Sequence, residues 1–324
     1  MAQVIKLAHT GAPEVLELTT VDQAEPGPKE AWIEQDAIGV NYLDVTQRQG
    51  AVPIALPSGL GLEGAGRVTA VGREVRNVAV GDRVAYALGP LGGYASGRLY
   101  PAERLVKLPD SLGFDDAAAV LFKGITAQYL IKSTYPVQAG TVVLLYGAAG
   151  PLGQILASWA RYLGAFVIGV VSRAASVERA RAAGCGEVLV WGAVDLPAEV
   201  ARVTRGRKAD VVYDGIGRLT FAASLDCLRP RGLMVSMGAS TGVPAAVELG
   251  TLNAKGSLFL TRPGLAAHES QLDEYRERAS DVFDAVSRGI IKPAIGRHFS
   301  LADAALAHAS LERGAGAGTI VLKP

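Results

Sequence analysis

The stretch "TVVLLYGAAGPLGQILASWARYLGA" (141–165) decides how the chain is read. An apolar, β-branched run, 141–145, leads at once into three glycines, Gly147, Gly150 and Gly153, and then into a segment of helical composition. A strand that passes straight into a helix through glycines opens a βαβ unit. The first glycine permits the bend, the second lets backbone approach a phosphate group, and the third lets the helix pack close to the strand. The spacing is G-x-x-G-x-x-G rather than G-x-G-x-x-G, so the loop alone reads either as a structural turn or as a phosphate cradle. Pro151 stands where the first helical turn begins, a place that tolerates proline because the missing N–H would be orphaned anyway.

Outward from this loop, strands and helices alternate. The pattern predicts strands at 142–146, 166–171, 187–191, 210–213 and 233–237, with helices at about 151–163, 176–183, 196–204 and 219–228. Such alternation implies an α/β fold with a doubly wound parallel sheet. "GSLFLT" (256–261) is expected to be its last strand, and 268–289 an amphipathic helix. The first 120 or so residues are different: short apolar runs between turn residues, as in "GAGRVTAVG" and "GDRVAYAL", predict a small barrel-like β domain. The change comes near Phe114, where "FDDAAAVLFKGITAQYLIKS" is helical in composition. The tail ends in a strand expected to return to the first domain. The "GAGAG" stretch (314–318) is too short to count as low complexity.

Composition narrows the function. The 324 residues suffice for two domains and a large core. A net charge of +1 gives no basic field for nucleic acid or an anionic membrane. There is no apolar run of the length a membrane helix needs, and the N-terminus alternates like a strand, without a signal-peptide core. Two cysteines and four scattered histidines argue against a disulfide framework, and the expected compartment is the cytosol.

The end of the second strand of the alternating region carries cofactor information. An NAD-selective site has an acid there to accept hydrogen bonds from the ribose hydroxyls. This chain has Ser172 and Arg173, and the next acid is Glu178. A guanidinium pairs with a 2′-phosphate that an acid would repel. The reading is NADP(H); the alternative is a solvated surface arginine.

Taken together, "AIGVNYLDVTQRQG" (37–50), "PSGLGLEGAGRVTAVG" (57–72), "VGDRVAY" (80–86), "LFKGITAQYL" (121–130), the glycine loop, "DVVYDGIGR" (210–218), "CLRPRGLMVSMG" (227–238) and "LNAKGSLFLTRP" (252–263) resemble the zinc-free, zeta-crystallin-like quinone oxidoreductases of the medium-chain dehydrogenase/reductase superfamily. The resemblance implies a GroES-like catalytic domain (1–123 and 264–324), a Rossmann NADPH-binding domain (124–263) and a cofactor in the cleft between them. It also implies a homodimer through the Rossmann sheet, to which the apolar "GSLFLT" edge points as well. The zinc-using cousins carry a histidine before the glutamate matching Glu63; here that residue is Leu62, and no cysteine precedes Cys185. Catalytic zinc needs about three protein ligands, so no metal is expected.

Without a Lewis acid, reduction of an electron-poor acceptor is the accessible chemistry: a quinone, or alternatively an α,β-unsaturated ketone or aldehyde. A reading from another class is an NADPH-binding structural or RNA-binding protein. The resemblance implies Asn41 as a donor near the acceptor oxygen or nicotinamide, or else a turn cap, with Thr46 and Thr126 beside it as catalytic candidates. Asp44 is expected to hold the Asn41 loop and to pair with Arg48. Lys123 and Thr126, taken to start the linking helix, are implied near the nicotinamide and phosphates. Leu260, Thr261 and Arg262 match a segment that closes over the cofactor. Leu152, Ser176, Arg218, Gly238, Ala239 and Ser240 join the implied cofactor set, and Trp191 is read either as an adenine neighbour or as core. Family tyrosines are absent at Thr46 and Val52, which predicts a wider acceptor pocket unless Tyr94 fills the space.

Overall fold

The computed structural model describes residues 1–314 and 317–324; the centre of the "GAGAG" stretch lies outside the described residues. The chain divides into two compact units: Met1–Ile125 with Leu272–Arg288 and Lys292–Pro324, and Thr126–Gln271 with Gly289–Ile291.

In the first unit the short apolar runs form β1 (Ala2–Leu7), β2 (Leu16–Val21) and β3 (Glu30–Val40), followed by α1 (Tyr42–Arg48). Then come β4 (Ser58–Gly59), β5 (Glu63–Val71), β6 (Arg83–Ala87), β7 (Gly97–Pro101) and β8 (Val106–Lys107). β5 and β6 pair antiparallel, from Glu63 opposite Ala87 to Arg67 opposite Arg83. Inward side chains of β3, β5 and β6 (Ile33, Val68, Val84 and Tyr86) form one buried cluster. The helix α2 (Phe114–Tyr129) opens with Asp115 and Asp116, which favour the positive end of its dipole, and the boundary between the units falls within it. A π-helical turn, Leu130–Thr134, follows.

The second unit alternates as its sequence predicts: β9 (Val142–Tyr146), α3 (Pro151–Tyr162), β10 (Phe166–Val171), α4 (Val177–Ala182), β11 (Glu187–Val190), α5 (Leu196–Val203), β12 (Ala209–Asp214), α6 (Phe221–Asp226), β13 (Leu228–Ser236), α7 (Leu249–Ala254), β14 (Phe259–Thr261) and α8 (Leu265–His268). The strands form one parallel sheet in the order β11-β10-β9-β12-β13-β14. The order reverses between β9 and β12, so ligands are expected beyond the carboxyl ends of the strands. At the opposite, amino-terminal rim, Asp210 of β12 accepts the Val142 N–H at 2.7 Å and pairs with Arg207 at 2.8 Å and Arg229 at 2.5 Å.

The chain then returns to the first unit through α9 (Leu272–Ser287), β15 (Ile295–Ser300), α10 (Ala304–Glu312) and β16 (Thr319–Lys323). β16 pairs antiparallel with the end of β3, Ile320 opposite Val40, and so braces the strand that delivers Asn41.

Three expectations on element bounds need correction. The helix expected over 268–289 is shorter, α9 running from Leu272 to Ser287, while His268 ends the separate α8 and Glu269–Gln271 lie between the two. β13 starts at Leu228 rather than at 233: "RPRG" looks like a loop, but the strand absorbs it as an irregularity opposite 209–211, with Arg231 at φ 60°. Lys123 and Thr126 lie in the second half of α2, not at its start.

Candidate active site

β3 ends at Val40, and Asn41 takes the extended N-cap conformation of α1, φ −122° and ψ 152°. The sequence fits this: asparagine is a favoured cap residue, and an acid three residues on can accept the N–H of the cap residue itself. The Asn41 N–H donates to Asp44 Oδ2 at 2.8 Å. The Asn41 amide is held at both ends. Its Nδ2 donates to Glu63 Oε2 at 3.0 Å, and its Oδ1 accepts from Lys123 Nζ at 2.7 Å. Lys123 Nζ lies 3.6 Å from Glu63 Oε2, and Glu63 Oε1 accepts the Phe122 N–H at 2.6 Å. All three side chains are buried, Glu63 completely. Burial raises the Glu63 carboxyl above its ordinary value, while Lys123 and the hydrogen bonds from Asn41 and Phe122 oppose that rise.

Asp44 Oδ2 also accepts the Tyr94 hydroxyl at 2.9 Å, and that hydroxyl lies 2.9 Å from His308 Nε2 on α10. Burial pushes the Asp44 carboxyl up to about 7. Burial first, and then the Arg48 charge, holds His308 down to about 3, so the imidazole is neutral. The expected Asp44–Arg48 pair is not the one formed: Arg48 Nη2 bonds Glu312 Oε1 at 2.7 Å. Tyr94 is fully buried, with its hydroxyl committed to Asp44 and His308. Thr46 is half-buried, and its Oγ1 donates back to Leu43 O at 2.8 Å within α1. Thr126 is half-buried on α2. Sequence reasoning missed Glu63 as a ligand of Asn41, and His308 altogether. A buried acid beside glycines, "LEGAG", was the available signal for the first.

In the second unit each glycine has a distinct geometry. Gly147 turns at φ 65°, and a Cβ there would meet nothing within 4 Å, so its backbone is open to a ligand. Gly150 is the N-cap of α3, without a side-chain cap, and Pro151 follows at N1. A Cβ on Gly153 would lie 2.2 Å from Gly147 O, so only glycine admits this contact between loop and helix. A 12-residue helix whose first turn lacks a side-chain cap suits an anion, and the residues present fit a pyrophosphate. Leu152 is half-buried in that first turn.

The other implied cofactor residues follow the carboxyl ends of neighbouring strands. Ser172 and Arg173 are exposed after β10, Ser176 is half-buried in the turn before α4, and Trp191 follows β11. Trp191 is half-buried, packs edge-on to Tyr146 with centroids 6.0 Å apart, and lies against the core. Beyond β12, Asp214 Oδ1 accepts the N–H groups of Ile216 and Gly217, and its carboxylate accepts the Thr220 and Ser224 hydroxyls. This turn is tied to the loop after β13. Ser240 N–H donates to Gly215 O at 3.2 Å, and Arg218 N–H to Gly242 O at 2.9 Å. A Cβ on Gly238 would lie 2.8 Å from Gly215 O. Ala239 is half-buried in the same loop. Leu260 and Thr261 belong to β14, and Arg262 just beyond it approaches Ser236 Oγ at 3.4 Å. Asp214, and Thr241 whose hydroxyl donates to Ile216 O at 2.8 Å, shape these loops and were not singled out in the sequence, although aspartate followed by glycine marks such turns.

Residues 27–110 match the alcohol dehydrogenase GroES-like domain family, and residues 151–266 the zinc-binding dehydrogenase family. The chain is 44% identical over 325 residues to the quinone oxidoreductase of Pseudomonas aeruginosa, with all of both chains covered. The chain belongs to the quinone oxidoreductases of the medium-chain dehydrogenase/reductase superfamily. Other members of this quinone oxidoreductase family stand close to it. Quinone oxidoreductase 1 of Escherichia coli K12 is 40% identical with both chains fully covered. The crystal structure of Escherichia coli quinone oxidoreductase complexed with NADPH superposes with a TM-score of 0.96 at 40% identity, covering 99% of this chain and 100% of that one. A 2-haloacrylate reductase from Burkholderia sp. is 41% identical, covering 100% of this chain and 99% of the relative. The fold is therefore a Rossmann sheet combined with a GroES-like β domain.

One matched family is described as zinc-binding, and the donor set here does not fit that ion. Among the described residues no group of three or more His, Cys, Asp or Glu side chains is disposed to hold a metal. Leu62 precedes Glu63, and burial pushes the thiols of Cys185 and Cys227 up to about 12, which keeps both protonated. Among the described residues no helix is long and apolar enough to cross a membrane.

Proposed function

We propose that this chain is an NADPH-dependent quinone reductase that works without zinc. The observation that carries the proposal is its full-length likeness, at 40–44% identity, to proteins named quinone oxidoreductase, one of them solved with NADPH. When bound, NADPH supplies a hydride to an electron-poor acceptor. The first turn of α3, with the open backbone at Gly147, holds the pyrophosphate. Ser172 and Arg173 take the 2′-phosphate, where an acid would repel it. Leu260, Thr261 and Arg262, with Arg218 and the Gly238–Ser240 loop, complete the nucleotide's surroundings.

The acceptor's developing negative charge falls to the first unit. Asn41 has a second Nδ2–H beyond the one given to Glu63, and the Lys123 ammonium stands 2.7 Å from its carbonyl oxygen. A preorganised donor beside a buried cation stabilises an oxyanion far better than water does. Residues 1–123 and 264–324 make up the catalytic domain in this reading, and 124–263 the NADPH domain. A homodimer through β14 belongs to the proposal: the strand is three residues long at the sheet edge, and Phe259 is 60% exposed. A cytosolic location is consistent with two buried free cysteines.

A second reading, reduction of activated alkenes, is favoured by the 2-haloacrylate reductase relative. Initial rates of NADPH oxidation with a panel of quinones and of conjugated enones, in the presence of chelator, decide between them. Quinones should have the higher kcat/KM, undiminished by chelator. Turnover of enones alone favours the second reading, and activity that needs added zinc defeats the metal-free mechanism.

A further inference from the structure

We infer that Glu63 is a positioning residue: it fixes the orientation of the Asn41 amide and the place of the Lys123 ammonium, and through them the polar groups offered to the acceptor. This rests on the functional reading just given for Asn41 and Lys123. Glu63 opens β5 and is completely buried. A carboxylate in that position persists only when its lone pairs are taken up. Here Oε1 accepts the Phe122 N–H of α2 at 2.6 Å, and Oε2 accepts Asn41 Nδ2 at 3.0 Å. Lys123 Nζ, 3.6 Å from Oε2, supplies the opposite charge.

The consequence for Asn41 is a single amide orientation. Its oxygen faces the ammonium at 2.7 Å and its nitrogen faces the carboxylate. Rotating the amide by half a turn would set oxygen against carboxylate and N–H against ammonium, two repulsive contacts in a site of low dielectric. The second Nδ2–H therefore keeps one direction, fixed by a side chain that itself touches no reactant. The chain has made room for this device. A Cβ on Gly39 would lie 2.3 Å from Glu63 Oε2 and 2.2 Å from Ala118 O, so the strand passes the carboxylate only as glycine. The titratable groups around Glu63 come from separate elements: Asp44 from α1, Tyr86 from β6, Lys123 from α2, and Tyr94 from the segment before β7. Of these, Lys123 is the cation that offsets its charge.

Glu63→Gln keeps the shape and an oxygen for the Phe122 N–H but removes the charge that sorts the two ends of the Asn41 amide. Two readouts test the inference. In the free protein, the Asn41 side-chain amide pair, assigned by its loss in Asn41→Asp, should shift and broaden in the 15N–1H spectrum of Glu63→Gln. In turnover, Glu63→Gln should lower kcat with the best quinone at least tenfold, with NADPH affinity by fluorescence titration kept within twofold. In an Asn41→Ala background the same change should cost at least threefold less, because the share of its effect that passes through Asn41 is gone and only the share through Lys123 is left. An unchanged amide pair, or an equal loss in both backgrounds, overturns the inference. A lower melting temperature with kcat intact also overturns it, leaving Glu63 a structural clasp. If the amide pair shifts but neither wild type nor variant reduces any acceptor, the functional reading falls and the catalytic part of the inference falls with it. Should Glu63→Gln fold poorly, the Glu63→Gln/Lys123→Met pair, which removes both buried charges, reads the same resonances.

Discussion

Arg48 Nη2 meets Glu312 Oε1 at 2.7 Å across 264 positions of sequence, tying α1 to the end of α10. The Arg48 side chain is 1% exposed and that of Glu312 27%. Removing the acid strands a buried guanidinium whose Nε and Nη1 already have no hydrogen-bond partner among the described residues. Glu312→Ala should therefore cost about 3 kcal/mol in urea unfolding, whereas Arg48→Met, which removes the charge itself, should cost far less. Equal losses from the two variants would refute this account of the pair.

Asp44 and His308 predict opposite pH dependences, joined through Tyr94. The Asp44 carboxyl, ordinarily near 3.8, is raised to about 7. The folded state thus holds a proton that the unfolded state releases, and this contribution is full below pH 3.8 and lost as pH rises through 7. His308, ordinarily near 6.5, is lowered to about 3, so its contribution is full above 6.5 and lost as pH falls through 3. Each effect is on the order of 4 kcal/mol, and between about pH 4 and 6.5 they offset. The wild type should show little slope there from this pair. Asp44→Asn should unmask a stability that rises with pH, and His308→Gln one that falls. Unfolding free energies measured across that range, if parallel for all three proteins, would disprove the offset.

Gly153→Ala sets a methyl group against a backbone carbonyl, Gly147 O, at 2.2 Å. The helix must shift, so a loss of about 1–3 kcal/mol is expected even without cofactor. Gly150→Ala, whose Cβ would stand 3.2 Å from the same oxygen, should cost less. Thermal melts of both variants check the ranking.

Arg173 stands exposed after β10, where the sequence carries no acid before Glu178. Arg173→Glu should reduce the preference for NADPH over NADH at least about tenfold, through loss of a charged pair and gain of a repulsion. Unchanged kcat/KM ratios for the two nucleotides would move the selectivity elsewhere.

Thr46 is a small side chain on α1 whose hydroxyl turns back to Leu43 O, and Val52 is exposed. Multi-ring quinones should then have higher kcat/KM than benzoquinone, and Thr46→Tyr should shift the ranking toward the small substrate. A ranking that already favours benzoquinone and ignores the substitution would end the wide-pocket idea.

The alternating unit was legible because each strand is a short apolar run bounded by turn residues, and β9, α3 and β10 fall within a residue of their expected bounds. Where the sequence misled, local chemistry was overridden from a distance. "RPRG" has the composition of a loop, yet it lies inside β13 as an irregularity between Leu228, opposite Ala209, and Leu233, opposite Val211. The site divided in the same way. Asn41 and Asp44 declare a helix cap by their spacing of three, and the structure has their hydrogen bond. The partners of that cap, Glu63, Tyr94 and His308, lie 22 to 264 positions from Asn41 or its neighbours, and only folding brings them together. The assignment of Arg48 to Asp44 failed for that reason: an acid four residues away was visible in the sequence, and one on α10 was not.

The clasp at Asp210 gives the parallel sheet two rims with different obligations. One rim ends in the loops proposed to hold the nucleotide, and the other is closed by a carboxylate shared between Val142, Arg207 and Arg229. Substitutions after β10, β11 or β14 leave that closure untouched, so the loops are free to diverge while the scaffold persists. A randomised library confined to those strand ends would therefore explore new nucleotide and acceptor preferences among chains that still fold.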